Sequence, residues 1–127
     1  MGEFSKRVGE VGEDIVVDIL KLMGWEYVGR NIELPCCTNS HEKKTHGIDG
    51  LYLYESPLES NSVENVIVSS KYSSNPYEAV LSTFKKHFKD LANTIECYSK
   101  SSLKIDYNKI YKRSMRKNDT GVLFLFQ

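Results

Sequence analysis

Residues 46–72 read HGIDGLYLYESPLESNSVENVIVSSKY. Two runs rich in aliphatic, aromatic and β-branched residues, 46–54 and 64–72, flank a connection rich in Ser, Pro and Asn, which is the pattern of two strands joined by a turn. Asp49 stands inside the first run between Gly47 and Gly50. Period-two alternation puts it on one face with Leu51 and Leu53. Strands disfavour Asp, and flanking glycines leave backbone open to a close ligand. A structural Asp bonding a neighbouring loop is the competing reading. In the second run Ile67, Ser69 and Lys71 share a face, so a lysine ends an otherwise apolar row.

Upstream, residues 5–23 predict a helix ended by Gly24, with Val8, Val11, Ile15, Ile19 and Leu22 as its core stripe. Glu13 falls among Val16, Val17 and Leu20, where a carboxylate is costly unless it is paired, metal-bound or able to reach water. Residues 25–34 predict a strand, and 35–45 (PCCTNSHEKKT) a polar loop. Downstream, residues 77–99 predict a long helix with the stripe Tyr77, Leu81, Phe84, Phe88, Leu91 and Ile95. A short basic helix capped by Asp106 is expected over 105–117, then an apolar strand over 121–127. The order α-β-β-β-α-(α)-β gives an α/β fold, a mixed central sheet of about four strands flanked by helices. Residues 1–127 form one domain on this reading, expected to be the N-terminal part of a longer protein because the sequence stops inside an apolar strand.

Composition narrows the function classes. No apolar run approaches the ~20 residues of a membrane span, and the N-terminus has no apolar region of a secretory signal. Gly2 suggests myristoylation, but Lys6 occupies the place of the required Ser or Thr. Cys36, Cys37 and Cys97 are odd in number, which argues against a disulfide framework and for a reducing cytoplasm. Cys36, Cys37, His41 and His46 are conceivable zinc ligands but include no CxxC pair, so the segment reads as a polar loop, with a structural zinc as the alternative. His46 is expected to cap a loop, with a phosphate contact as the alternative. Net charge is zero, yet residues 100–117 hold seven cations against Asp106 alone. Lys112, Arg113, Arg116 and Lys117 are therefore candidate phosphate contacts, with a solvated face as the alternative. Lys85, Lys86 and Lys89 on the long helix are weaker candidates. Val68 excludes the S-x-x-K arrangement of acyl-transfer enzymes.

The helix glutamate, the strand aspartate and the lysine on the next strand, taken together, resemble the PD-(D/E)XK nuclease core over almost the whole chain. VGEVGEDIVVDILKLMGW is similar to the opening helix of restriction and Holliday-junction-resolvase-like members, whose Gly-x-x-Gly-Glu segment maps a metal-binding Glu to Glu13. HGIDG resembles the G-x-D strand, mapping the central metal-binding Asp to Asp49. VIVSSKYS resembles the E-x-K strand, with Lys71 as the lysine that orients the attacking water. Ser69 departs from the pattern, which wants Glu or Asp there. Some restriction-type members carry serine at this place and recruit an acid from the following helix, which makes Glu78 the first candidate and Glu96 the second. An engineered inactivation, or a loss of catalysis with binding retained, would also leave a serine at this position.

The resemblance implies a Mg²⁺- or Mn²⁺-dependent endonuclease, acting on DNA with a place in defence against phage, with a homodimer or partner subunit and no membrane. A catalytically silent nuclease-fold module that binds nucleic acid or protein is the alternative. A toxin-like nuclease restrained by a partner is a third reading.

Overall fold

The structure is a computed structural model and describes residues 2–72 and 80–126. Tyr77, Glu78 and the side chain of Val8 lie outside the described residues. The described elements are α1 (Gly2–Leu22), β1 (Glu26–Pro35), a 3-10 turn (Asn39–His41), β2 (Thr45–Glu55), β3 (Ser62–Tyr72), α2 (Val80–Ser99), α3 (Ser102–Tyr107) and β4 (Arg116–Phe126). The four-stranded sheet has the order β1-β2-β3-β4. β1 and β2 pair antiparallel, as do β2 and β3, whereas β3 and β4 run parallel. The fold is therefore α/β with a mixed sheet flanked by helices, consistent with a PD-(D/E)XK nuclease domain. No helix among the described residues is long and apolar enough to cross a membrane.

Strand alternation on β3 and β4 separates two cores. Val66, Val68, Val122 and Phe124 pack with Tyr52, Val16 and Leu20 under α1. Ile67 and Leu123 point the other way, packing with Leu34, Ile48, Leu51, Leu91, Cys97 and Tyr98 under α2. Gly121 lets α2 approach: a Cβ there would lie 2.5 Å from Ile95 Cδ1 and 3.2 Å from Leu91 Cγ.

Both helices turn a different face to the sheet than their most regular apolar rows predict. On α1, Val11, Ile15, Ile19 and Leu22 are 42–89% exposed, and the buried row is Gly12, Val16 and Leu20. Two rows at helical spacing coexist in this helix, and the sheet takes the one that begins at a glycine. On α2, Leu81, Phe84 and Phe88 are exposed, and full burial begins at Leu91. The basic helix over 105–117 does not form. Ser101 caps α3 instead, accepting from Lys104 N, and the helix ends at Tyr107. Arg116 N then donates to Asn61 O at 2.7 Å, drawing Arg116 and Lys117 into β4, which begins five residues before its expected start at Gly121.

A buried polar network ties α2 and the end of α3 to β3. Asn65 Oδ1 accepts from Tyr98 Oη and from Asn108 Nδ2, each at 2.8 Å, and Asn65 Nδ2 donates to Asn108 Oδ1 at 3.1 Å. Because Tyr98 is fully buried, its hydroxyl has no water to fall back on. Asn65→Ala should lower stability by about 1–3 kcal/mol, the cost of stranding a buried hydrogen-bonding group, measured by urea unfolding.

Candidate active site

Glu13 and Asp49 meet in one cleft between α1 and the sheet, lined also by Val16, Val17, Arg30, Gly50, Tyr52, Val68 and Ser70. Glu13 reaches it because it lies one turn before the buried Val16 on the sheet-facing side of α1. Asp49 reaches it through a break in strand alternation. The β2–β3 ladder begins at Gly50↔Val68, and there Asp49 Oδ2 accepts from Ser70 N at 2.8 Å. The carboxylate thus takes up a strand N–H at the ladder's end. Asp49 consequently lines the α1 side with Tyr52, whereas Leu51 packs under α2. Strict alternation predicted Asp49 and Leu51 on one face. Gly50 keeps the floor open, since a Cβ there would sit 3.2 Å from Tyr52 Cε2 and 3.7 Å from Val68 Cβ.

Arg30, which the sequence did not single out, also lines the cleft. Its position opposite Gly50 in the β1–β2 register brings it to the cleft. Its Nη2 lies 3.2 Å from Glu13 Oε2 and its Nη1 2.9 Å from Asp14 Oδ1. The Asp14 hydrogen bond, opposed by partial burial and aided by Glu13, strengthens the guanidinium's hold on its proton. The cleft holds about 10 Å³, room for roughly one water. Arg30 Nε and Tyr52 Oη, both in its lining, are buried and have no hydrogen-bond partner among the described residues. Burial, with a smaller push from Tyr27, raises the Tyr52 phenol above its ordinary pKa against the pull of Arg30, so it stays a neutral donor. Two buried donors without partners on residues that line so small a space suit a water or phosphate oxygen.

Lys71 lies elsewhere. It lines a depression of about 400 Å³ on the α2 side with Lys43, Lys86, His87, Lys89, Asp90 and Asn93. Ser69 is half-buried and shares Lys71's side of β3 by alternation. The structure therefore brings Glu13 and Asp49 together and puts Ser69 and Lys71 across the strand from them. Among the described residues the α2 acid that shares Lys71's depression is Asp90. Burial pushes its carboxyl up, but the Lys43 bond and the charges of Lys43 and Lys71 outweigh this and hold it below the ordinary value. Burial, then Lys71 and Lys86, hold His87 below the usual imidazole range. Glu96 is engaged elsewhere, 3.1 Å from His41 and 3.5 Å from Lys100.

The segment with Lys112, Arg113, Arg116 and Lys117 lies at the far end of the sheet, since Arg116 pairs with Ser62 at the start of β3. Eight residues of strand separate Ser62 from Ser70, roughly 26 Å. Arg113 and Lys117 help line a depression of about 470 Å³ there, but Lys117 Nζ donates to the Lys112 and Met115 carbonyls. Arg116 stands 3.9 Å from Glu59.

The acidic pair fits a hard divalent cation in kind, because carboxylate oxygens are the donors such ions prefer. Arg30 occupies Glu13 Oε2 in this arrangement, which leaves Oε1 of Glu13 and the Asp49 carboxylate as the oxygens for an ion. Tyr52→Phe removes a buried hydroxyl without a partner among the described residues and keeps the ring packing on Trp25 and Tyr27. Stability in urea should stay level or rise by about 1 kcal/mol; a larger loss would show that the hydroxyl is bonded after all. A protein-family model described as the GAPS4 protein PD-(D/E)XK nuclease domain matches residues 1–127. No curated protein and no solved structure matches the chain.

Proposed function

The chain belongs to the GAPS4 PD-(D/E)XK nuclease domain family, and from that premise we propose that it is a Mg²⁺-dependent endonuclease that cuts DNA. PD-(D/E)XK nucleases generally use divalent metals, and a nuclease domain implies contact with nucleic acid. The observation that carries the proposal is the shared cleft of Glu13 and Asp49, two acids distant in sequence, with two unpaired buried donors in its wall. Mn²⁺ would substitute for Mg²⁺. By its resemblance to restriction-type members the reaction belongs to defence against phage DNA in the cytoplasm.

Glu13 and Asp49 would hold the ion, whose chemistry is to lower the pKa of a water and offset charge on the phosphate. Asp49 enters with its orientation set by the Ser70 amide. Arg30 plays two parts: it offsets the Glu13 charge at rest, and its Nε, with Tyr52 Oη, offers hydrogen bonds to a phosphate oxygen in the cleft. Lys71, Lys43, Lys86 and Lys89 would grip the backbone beside the cut from the other side of the strand end. The resemblance also gives Lys71 the role of orienting the attacking water, which its side chain would fill by reaching round the strand end from the α2 side. Two acids are candidates for the charge that Ser69 does not supply: Glu78, outside the described residues, and Asp90, which shares the depression with Lys71. Lys112, Arg113, Arg116 and Lys117 would contact phosphates further along the duplex. The exposed apolar rows of α1 and α2 support a homodimer or partner subunit.

A second reading, a silent nuclease-fold module that binds nucleic acid or protein, is favoured by Ser69 and by the Arg30–Glu13 ion pair. Plasmid cleavage with Mg²⁺ or Mn²⁺ separates the two. The unaltered chain should nick or linearise the plasmid, and Asp49→Ala should slow this at least about a hundredfold. Cleavage that appears only in Ser69→Glu would favour the silent module with an intact scaffold. No cleavage by any variant, with retained DNA binding, would end the enzyme proposal for this chain.

A further inference from the structure

Four side chains outside the cleft converge on one point: Cys36 just after β1, His41 at the end of the 3-10 turn, His46 in β2 and Cys97 near the end of α2. Their donor atoms all lie within 4.8 Å of one another. Cys36 Sγ and Cys97 Sγ are 3.9 Å apart. His41 Nδ1 is 3.4 Å from each of these sulfurs, and His46 Nε2 is 3.4 Å from Cys97 Sγ. The two ring nitrogens are 3.3 Å apart. A tetrahedral zinc with ordinary bond lengths sets its ligand atoms about 3.8 Å apart for two sulfurs, about 3.6 Å for sulfur and nitrogen, and about 3.3 Å for two nitrogens. Five of the six ligand-to-ligand separations fall within about 0.2 Å of these spacings, and the sixth, Cys36 Sγ to His46 Nε2, is no more than 4.8 Å.

Pairwise hydrogen bonding does not account for the arrangement. His41 Nδ1 faces three partners at once, and a ring nitrogen carries one proton or one lone pair. A cation at the centre satisfies all four donors together. Two thiolates also neutralise a divalent ion, so the centre could be buried without net charge. Loading would release the two thiol protons to solvent.

We propose that Cys36, His41, His46 and Cys97 form a structural zinc site that staples the β1–β2 connection to α2. Two sulfurs and two nitrogens in tetrahedral array select zinc over magnesium or calcium. Four protein ligands close the coordination shell, as in structural and not catalytic sites, and the His41 and His46 side chains are nearly inaccessible. Outer contacts fit as well. Glu96 Oε2 lies 3.1 Å from His41 Nε2, the carboxylate partner that metal-bound histidines commonly have. Cys37 N–H donates to Cys97 Sγ at 3.1 Å, which favours a thiolate there. The connection is wound tightly around the cluster: Cys36 N donates to Lys44 O at 2.9 Å, and Glu42 takes a left-handed φ of 56° directly after His41.

The site is independent of the nuclease reading, and its test reads metal content and spectra. The full chain from zinc-supplied cells should carry one zinc per chain, with Asp49→Ala unchanged. Cys36→Ser and Cys97→Ser should each lose the zinc, whereas Cys37→Ser should keep it. Glu96→Gln should weaken affinity roughly 10–100-fold. Co²⁺ exchanged into the unaltered chain should give the visible d–d bands of a tetrahedral site and a near-ultraviolet thiolate charge-transfer band, a readout that needs no variant to fold. Sulfur ligation is overturned if Co²⁺ gives only the weak bands of oxygen ligation, or if zinc survives in both Cys36→Ser and Cys97→Ser. Cys37 Sγ is 2.7 Å from Cys97 Sγ, so a zinc-free chain two mass units light, with Cys37 and Cys97 joined as a disulfide, would likewise overturn the proposal.

Discussion

β3 is paired on both edges and buried on both faces, and every other element takes its place from it. Val63, Val66, Ile67 and Val68 are almost wholly inaccessible. Their alternation hands Val66 and Val68 to α1 and Ile67 to α2. Such a strand needs apolar side chains on consecutive positions, and Val66, Ile67 and Val68 supply them up to Ser69, with Asn65 before them buried in its own hydrogen-bond network. From there the polar run Ser69, Ser70, Lys71 marks where the helices stop covering the sheet. At that end both the acidic cleft and the lysine-lined depression open. The proposed chemistry therefore sits where the core runs out, and the two sides of one strand end give it two different environments.

That division makes the acidic pair sensitive to its cationic neighbour. Arg30 reaches the cleft because β1 pairs with β2 opposite Gly50. A fixed guanidinium beside Glu13 relieves the repulsion that a second carboxylate nearby would otherwise cause. It is also a competitor for any other cation. The cleft is thus only partly neutralised from within: one guanidinium is shared between Glu13 and Asp14, and the Asp49 carboxylate is met by a backbone amide alone.

Much of this was legible in the sequence, and the failures have physical causes. The strands were clear because hydrophobic runs bounded by turn residues have few other solutions. Glu13 stood out because a carboxylate on an apolar arc is costly, and that same arc, with Val16, proved to be the buried face of α1. The stripe through Val11, Ile15, Ile19 and Leu22 misled because helical spacing shows that a row exists, not that the sheet covers it. Asp49's side of the sheet depended on the end of a ladder, which period-two counting cannot see. The metal-ligand geometry was hidden because Cys97 lies far along the chain from Cys36, His41 and His46, and only the packing of α2 on the sheet brings it back. Asp90 was missed because, in sequence, it is one acid among lysines on a helix.

The parallel pairing of β3 with β4 has a consequence in time. β1, β2 and β3 follow one another by short connections, so their ladders can zip locally. β4 cannot join until α2 and α3 have been laid across the sheet, because every β3–β4 partner is distant in sequence. Loop-closure entropy must be met before those contacts form. Until then β3 carries one unpaired edge of consecutive apolar residues, open to pairing with another chain. The slow step of folding and the moment of greatest aggregation risk should therefore coincide, in the interval before β4 docks.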